Sequence, residues 1–304
     1  MVVEFKVESA WRGHRRAPHE FTRGVHSSCA KHPIVTMPRW DPVESEEISR
    51  VREMCREELQ QSPMYPEVVG DRKILRFLRG HGHNVEKAAA MLRKFLSWRK
   101  EFGVNEIRRS IVEGGLDHPL KFPNGEKILR LIPQLIITPH AFDKSGSPIC
   151  VEQYNFSPAE VLSKISIQEY ILFVMHSLEY RSLVVEQLSE KRERVFLASL
   201  TDDERAAALS PTGSIYYGVL LNTCVVRDLG AVGFEHVTSQ GQEIIRAVVT
   251  LSSDNYPELM RKCFMINTVC LSFFCRLNCP PNYSHLSFLF TYDSPGCLMR
   301  SGTL

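Results

Sequence analysis

The chain has 304 residues, 43% of them hydrophobic and 24% charged, with a net charge of +2, an ordinary globular composition for one large domain or two small ones. Near-neutral charge argues against a dedicated nucleic-acid binder, and no run reaches the roughly 20 apolar residues of a membrane-spanning helix, since Cys263–Leu277 is broken by Asn267 and Arg276. Nine cysteines, an odd number scattered along the chain, read as reduced thiols rather than a disulfide framework.

Residues 1–40 carry seven Lys/Arg, three Glu and four His without any sustained period. They read as a disordered tail or an extension, with Met37 as an alternative start beside Met1. The helical period begins at Asp41. Glu46 and Glu47 sit where a first helical turn favours acid. Ile48–Leu59 is charged with few apolar residues and is expected to be largely exposed. In Asp71–Gly80, Ile74, Leu75, Phe77 and Leu78 form an apolar face, with Gly80 expected as the residue that ends the helix. Asn84 can cap the next helix. There Val85, Ala88, Ala89, Leu92, Phe95, Leu96 and Phe102 recur at steps of three and four, and Gly103 stops it. Residues 41–114 thus read as a small all-helical unit.

The texture changes after Gly114-Gly115. Lys127–Ile137 and Pro148–Tyr154 are expected as short strands, joined through a turn at Asp143-Lys144-Ser145-Gly146. Ser166–Val195 reads as one long helix with a charged end at Glu190–Arg194. Thr201–Gly213 reads as an insertion. Val219–Leu229 is an apolar strand, Gly241–Leu251 a helix burying Ile244, Ile245, Val248 and Val249, and Cys263–Ile266 another short strand. Strands alternating with long helices imply an α/β unit over 115–268, a mainly parallel sheet flanked by helices.

Four blocks, in order, carry a resemblance. They are Asp71–Leu78 with Trp98-Arg99; Phe142-Asp143-Lys144-Ser145-Gly146-Ser147-Pro148; Val226-Arg227-Asp228-Leu229 with Gly233; and Asp254-Asn255-Tyr256-Pro257-Glu258 followed by Phe264-Met265-Ile266-Asn267. Together they resemble the Sec14-like (CRAL-TRIO) family. The resemblance implies a hydrophobic pocket for one phospholipid, phosphatidylinositol or phosphatidylcholine, or another small lipid. It implies exchange of that lipid between membranes without covalent chemistry, by a cytoplasmic monomer that visits membranes transiently. Burial of acyl chains supplies about 0.8 kcal/mol per CH₂, while the headgroup needs polar partners.

The resemblance also assigns residues. Glu258 matches the glutamate that takes an inositol hydroxyl, next to Leu259 in place of an arginine. Thr223 matches a hydroxyl near a choline-lipid phosphate, although Pro139 and Cys150 stand where supporting tyrosines occur. Asp228 ends a strand where α/β sheets place ligands. Thr268–Leu304 does not resemble the family's continuation. It reads as a frameshift, a retained intron or a truncated splice form, or else as genuine divergence.

Other readings weigh less. Neither His81-Gly82-His83 nor Cys270, Cys275, Cys279 and His285 has the spacing of a metal site. Lys191-Arg192-Glu193-Arg194 reads as a solvated helix end, or as a contact with acidic lipid headgroups. No nucleophile, zinc-protease, phosphate-loop or dinucleotide motif is present, so no enzyme and no cofactor is expected. The alternatives are a regulatory or docking module that has lost transfer, and a hydrolase using Asp228 or Glu258.

Overall fold

The computed structural model describes residues 42–63, 65–137, 141–209, 219–233, 236 and 238–267, and the backbone of 289–293 and 300–302. The extension at 1–40, Pro139 and the cysteines and histidine of the tail lie outside these residues.

The first helices are α1 (Pro42–Met54), α2 (Arg56–Gln60), α3 (Pro66–Val69), α4 (Asp71–Gly80), α5 (Val85–Glu101) and α6 (Val104–Val112). Ile48, Val51, Cys55 and Leu59 are buried in one stripe across α1 and α2, so this segment is exposed on its charged side alone. α4 and α5 supply the centre of that core, with Ile74, Leu75, Phe77, Leu78, Ala88, Ala89, Leu92 and Phe95 shut off from water. Asn84 caps α5 by accepting from the Lys87 N–H at 2.8 Å. Phe102 is exposed rather than part of the stripe, because it follows the last turn of α5.

Gly80 does not end α4 in the expected way. The left-handed residues are Gly82 and His83 (φ 63° and 62°), so the chain turns two residues later.

A short 3₁₀ turn (Pro119–Lys121) leads to α7 (Gly125–Leu131). This corrects the strand expected over Lys127–Ile137. Ile128 and Leu129 bury on a helical face against Phe122 and Phe173, and only Gln134–Leu135, here β1, is extended. β2 (Ile149–Gln153) pairs antiparallel with β1. The turn before β2 is built by the Asp143 carboxylate, which accepts from the Ser145 and Ser147 N–H groups, both at 2.8 Å, with Gly146 at φ 79°.

α8 (Pro158–Lys164) precedes the long α9 (Ile167–Ala198). α9 starts with a reciprocal cap: Ser166 Oγ accepts from the Glu169 N–H and Glu169 accepts from the Ser166 N–H. Ser166→Ala is expected to cost about 1 kcal/mol in denaturant unfolding; an unchanged midpoint would show that the long helix does not depend on its cap. α10 (Asp202–Leu209) occupies the first part of the expected insertion. β3 (Thr223–Asp228), α11 (Ser239–Asn255) and β4 (Met260–Ile266) follow, then β5 (Leu289–Asp293) and β6 (Arg300–Gly302).

The sheet order is β1-β2-β3-β4-β5-β6. β2, β3 and β4 are parallel, and antiparallel strands stand on both sides of them. The chain is therefore α/β, with parallel strands linked through α9 and α11. In register, Cys150, Val225 and Cys263 form a buried row across β2, β3 and β4. They pack with Leu178, Val184 and Val185 of α9. The next row, Glu152, Arg227 and Met265, is closed by Arg181 of α9, which donates to Glu152 at 3.2 Å while Arg227 donates at 2.8 Å. The opposite face carries Val151, Val226 and Phe264 in register, all half-buried.

α11 departs from expectation. Ile245 and Val249 are 52% and 55% exposed, and Ile244 and Val248 are only half-buried. α11 touches α9 and α5 but leaves one apolar edge in the open.

Candidate functional site

Thr223 and Glu258 lie together at the N-terminal ends of β3 and β4. The Thr223 N–H and hydroxyl both donate to the Leu259 carbonyl, at 2.7 and 3.0 Å. Glu258 stands in the left-handed region at φ 55°, a conformation that costs a non-glycine residue on the order of 1–3 kcal/mol and needs support. The support is visible. Its carbonyl accepts from Arg76 Nη1 at 2.6 Å and from Asn222 Nδ2. Arg76 Nη2 donates to the Leu221 carbonyl at 2.5 Å. Arg76 is buried, and burial pushes its guanidinium down to about 10.

Asp228 is not part of this group. It sits at the other end of β3, five residues and roughly 16 Å along the strand. Its carboxylate accepts from the Gly230 N–H at 3.0 Å and from Asn267 Nδ2 at 2.9 Å. These bonds shape the turn after the strand and join β3 to the end of β4.

The residues just before Glu258 are held by a buried charge cluster that sequence reasoning missed. Arg99 of α5 makes a two-pronged bond to Glu179 of α9, at 2.7 and 2.9 Å, with both side chains only 2% exposed. The Tyr256 hydroxyl donates to the same carboxylate at 2.5 Å. Burial pushes the Glu179 carboxyl up, but Arg99, Tyr256 and Lys73 outweigh it and hold the group below its ordinary value. Burial drives the Tyr256 hydroxyl well above its ordinary value, and Glu179 adds to the shift. Lys73 of α4 points its ammonium at the ring of Phe95, 4.0 Å from the centroid, and at Tyr256 and Phe77. It donates to the Asn255 carbonyl at 3.2 Å. Burial lowers its pKa to about 7.

A second charged seam ties α4 to α9. Arg72 donates to the Val219 carbonyl at 2.9 Å and to Glu186 at 2.5 Å, and it also pairs with Glu193. Arg192 donates to the Ser145 carbonyl at 2.5 Å. The end of α9 is therefore engaged inside the protein at Arg192 and Glu193 rather than solvated throughout. A pointer existed in the sequence: Arg72, Lys73 and Arg76 share one side of an amphipathic helix. Such a stripe normally faces water, and only the bonds that Arg72 makes to Glu186 of α9, Lys73 to the end of α11 and Arg76 to the Glu258 turn reveal that this side of α4 is covered too.

Beside the cluster runs an open groove of about 530 Å³ between α5, α9 and α11. Trp98, Ile171 and Leu251 form its apolar side, and Lys94 and Asp254 pair across its rim at 3.1 Å. The thiols of Cys150 and Cys224 are pushed up to about 11, chiefly by burial, which keeps them protonated. Among the described residues, no group of three or more His, Cys, Asp or Glu side chains could hold a metal ion. No helix among them is long and apolar enough to cross a membrane. His83 instead contacts Glu47 at 2.8 Å, next to the Arg79–Glu44 pair.

No family model matches the chain. Among curated proteins it is similar to the Sec14 cytosolic factor of Schizosaccharomyces pombe, 30% identical over 204 residues, 67% of this chain and 59% of that protein. It is also similar to phosphatidylinositol/phosphatidylcholine transfer protein SFH14 of Arabidopsis thaliana, 22% identical over 233 residues, 76% of this chain and 34% of that protein. The chain thus spans 59% and 34% of the lengths of these relatives. Among solved structures, Sfh5 aligns over 79% of this chain and 76% of its own, at 12% identity and a TM-score of 0.47. The sequence similarity to these curated relatives supports a Sec14-like family for the chain.

Proposed function

We propose that this chain binds one phospholipid molecule, phosphatidylinositol or phosphatidylcholine, and exchanges it between membranes without covalent chemistry. The reading rests on one observation above others: the Tyr256–Leu259 turn presents Glu258 in a supported left-handed conformation beside Thr223. That is the glutamate the family resemblance assigns to an inositol hydroxyl. The name of one relative, a phosphatidylinositol/phosphatidylcholine transfer protein, fits this ligand class. In this reading residues 41–114 and 115–268 work as one module, a cytoplasmic monomer that touches membranes transiently. Glu258 and Thr223 serve the headgroup, and Asp228 serves the lipid site from a distance by shaping the far end of β3.

The test is direct. The full chain, purified from cells and extracted, is expected to carry phospholipid by mass spectrometry and to move labelled phospholipid between vesicles. Glu258→Gln is expected to lower the phosphatidylinositol share about tenfold, the worth of one hydrogen bond to a charged group, and to leave phosphatidylcholine in place. Protein that neither carries nor transfers lipid would overturn the reading, leaving a docking module as the explanation.

A further inference from the structure

Three residues of α4 fall in one stripe at steps of three and four: Lys73, Arg76 and Gly80. Each meets a different residue of one short segment of the α/β unit, Asn255–Glu258. Lys73 donates to the Asn255 carbonyl at 3.2 Å. Arg76 donates to the Glu258 carbonyl at 2.6 Å. Gly80 lies against Pro257 so closely that a Cβ added to it would stand 2.8 Å from the Pro257 Cβ.

Gly80 needs no unusual backbone conformation, since its φ is not among the positive ones. The close approach is the reason for glycine here. Pro257 has a rigid ring and a fixed φ, so it cannot yield as a flexible side chain would. Any side chain at position 80 must therefore displace the turn itself, one residue before Glu258. Arg76 acts on the other side of the same turn. With Asn222 it gives the Glu258 carbonyl two donors, which fixes the orientation of the peptide that follows and keeps Glu258 in the left-handed region. The guanidinium fork also spans to Leu221, the residue two before Thr223. One side chain thus ties together the two strand entries that carry both proposed headgroup residues.

We infer that Arg76 and Gly80 of the helical unit are positioning residues for Glu258, setting the preference of the lipid site for an inositol headgroup. The inference rests on the lipid reading proposed above. It gives the helical unit a role in headgroup choice that neither residue performs by touching lipid.

The experiment offers the full chain vesicles of phosphatidylcholine and phosphatidylinositol in equal parts and measures both bound lipids by mass spectrometry. Gly80→Ala and Arg76→Lys are each expected to lower the bound phosphatidylinositol-to-phosphatidylcholine ratio about tenfold, with total bound lipid unchanged. Arg76→Lys keeps the charge and loses the fork, so a drop there identifies geometry rather than charge. Asn222→Ser, which removes the second donor to the same carbonyl without altering α4, is expected to shift the ratio in the same direction and decides the matter if Arg76→Lys does not fold. An unchanged ratio in folded variants overturns the inference while the lipid reading stands. A parallel loss of both lipids also overturns it, because that is what general loosening of the pocket gives. Wild-type protein that takes up neither lipid overturns the lipid reading and this inference with it.

Discussion

Glu179→Ala is expected to cost about 3–5 kcal/mol of folding stability, the range for removing one member of a buried ion pair. The carboxylate receives Arg99 through two bonds and the Tyr256 hydroxyl through a third, with Lys73 nearby. Taking it away leaves a guanidinium 2% exposed without its ion-pair partner and a buried hydroxyl without its acceptor. Domains are stable by only about 5–15 kcal/mol, so the variant sits near the threshold of folding. The paired replacement Arg99→Met with Glu179→Leu is expected to recover much of the loss, because two apolar side chains of similar size need no desolvated charge. Equilibrium denaturant unfolding of wild type, single and paired variants checks this. A single-variant loss below about 1 kcal/mol would show the pair to be far more hydrated than its burial indicates.

Lys73 governs the second large effect, which appears as a dependence on pH. Its pKa falls from 10.5 in an unfolded chain to about 7 in the folded one, chiefly through burial. Between those two values the unfolded state holds the proton and the folded state does not. Stability contributed by this group therefore rises as pH increases from about 7 and is complete above 10.5. At 1.36 kcal/mol per pH unit the rise is at most roughly 5 kcal/mol. Lys73→Met is expected to abolish it: the gap in unfolding free energy between variant and wild type should favour the variant near pH 7 and close towards pH 10. Cysteines and tyrosines that titrate in the same range are common to both proteins and cancel in the difference. A gap that stays constant across this range would mean the ammonium keeps its charge through the contacts with Phe95, Tyr256 and the Asn255 carbonyl.

Both effects sit in the seam between α4, α5 and the α/β unit, and the same seam holds the turn that presents Glu258. Under the proposed lipid reading, stability and headgroup geometry are coupled through the helical unit. Variants of the seam should accordingly be read for fold and for lipid ratio together, since a shift in the ratio at constant stability isolates positioning.

How much of this was legible in the sequence differs by element. The helical stripes of Ile74–Leu78 and Val85–Leu96, the glycine stop at Gly103, the Asp143–Gly146 turn and the alternation of strands with long helices could all be read, because period and turn chemistry are local properties. The four ordered blocks pointed to the family for the same reason: each is made of short contiguous strings. Local reading failed at Lys127–Leu131, which is helical: Lys, Leu and Arg favour the helix, and Ile128 and Leu129 bury on one helical face beside Phe122 and Phe173. It failed again at Ile245 and Val249, apolar in sequence and exposed in the fold.

The chain's own residues determine its periodicity, its turns, its family and the identity of Glu258 and Thr223 as candidates. Tertiary structure alone decides that these two meet at one end of the sheet while Asp228 lies at the other. Strand register sets that distance, and register comes from pairing between segments far apart in the chain. It also decides that Arg76, Arg99 and Lys73, charges any local reading assigns to water, are buried. The partners that make such burial tolerable, Glu179, Asn255 and the Glu258 carbonyl, arrive from 80 to 182 positions away.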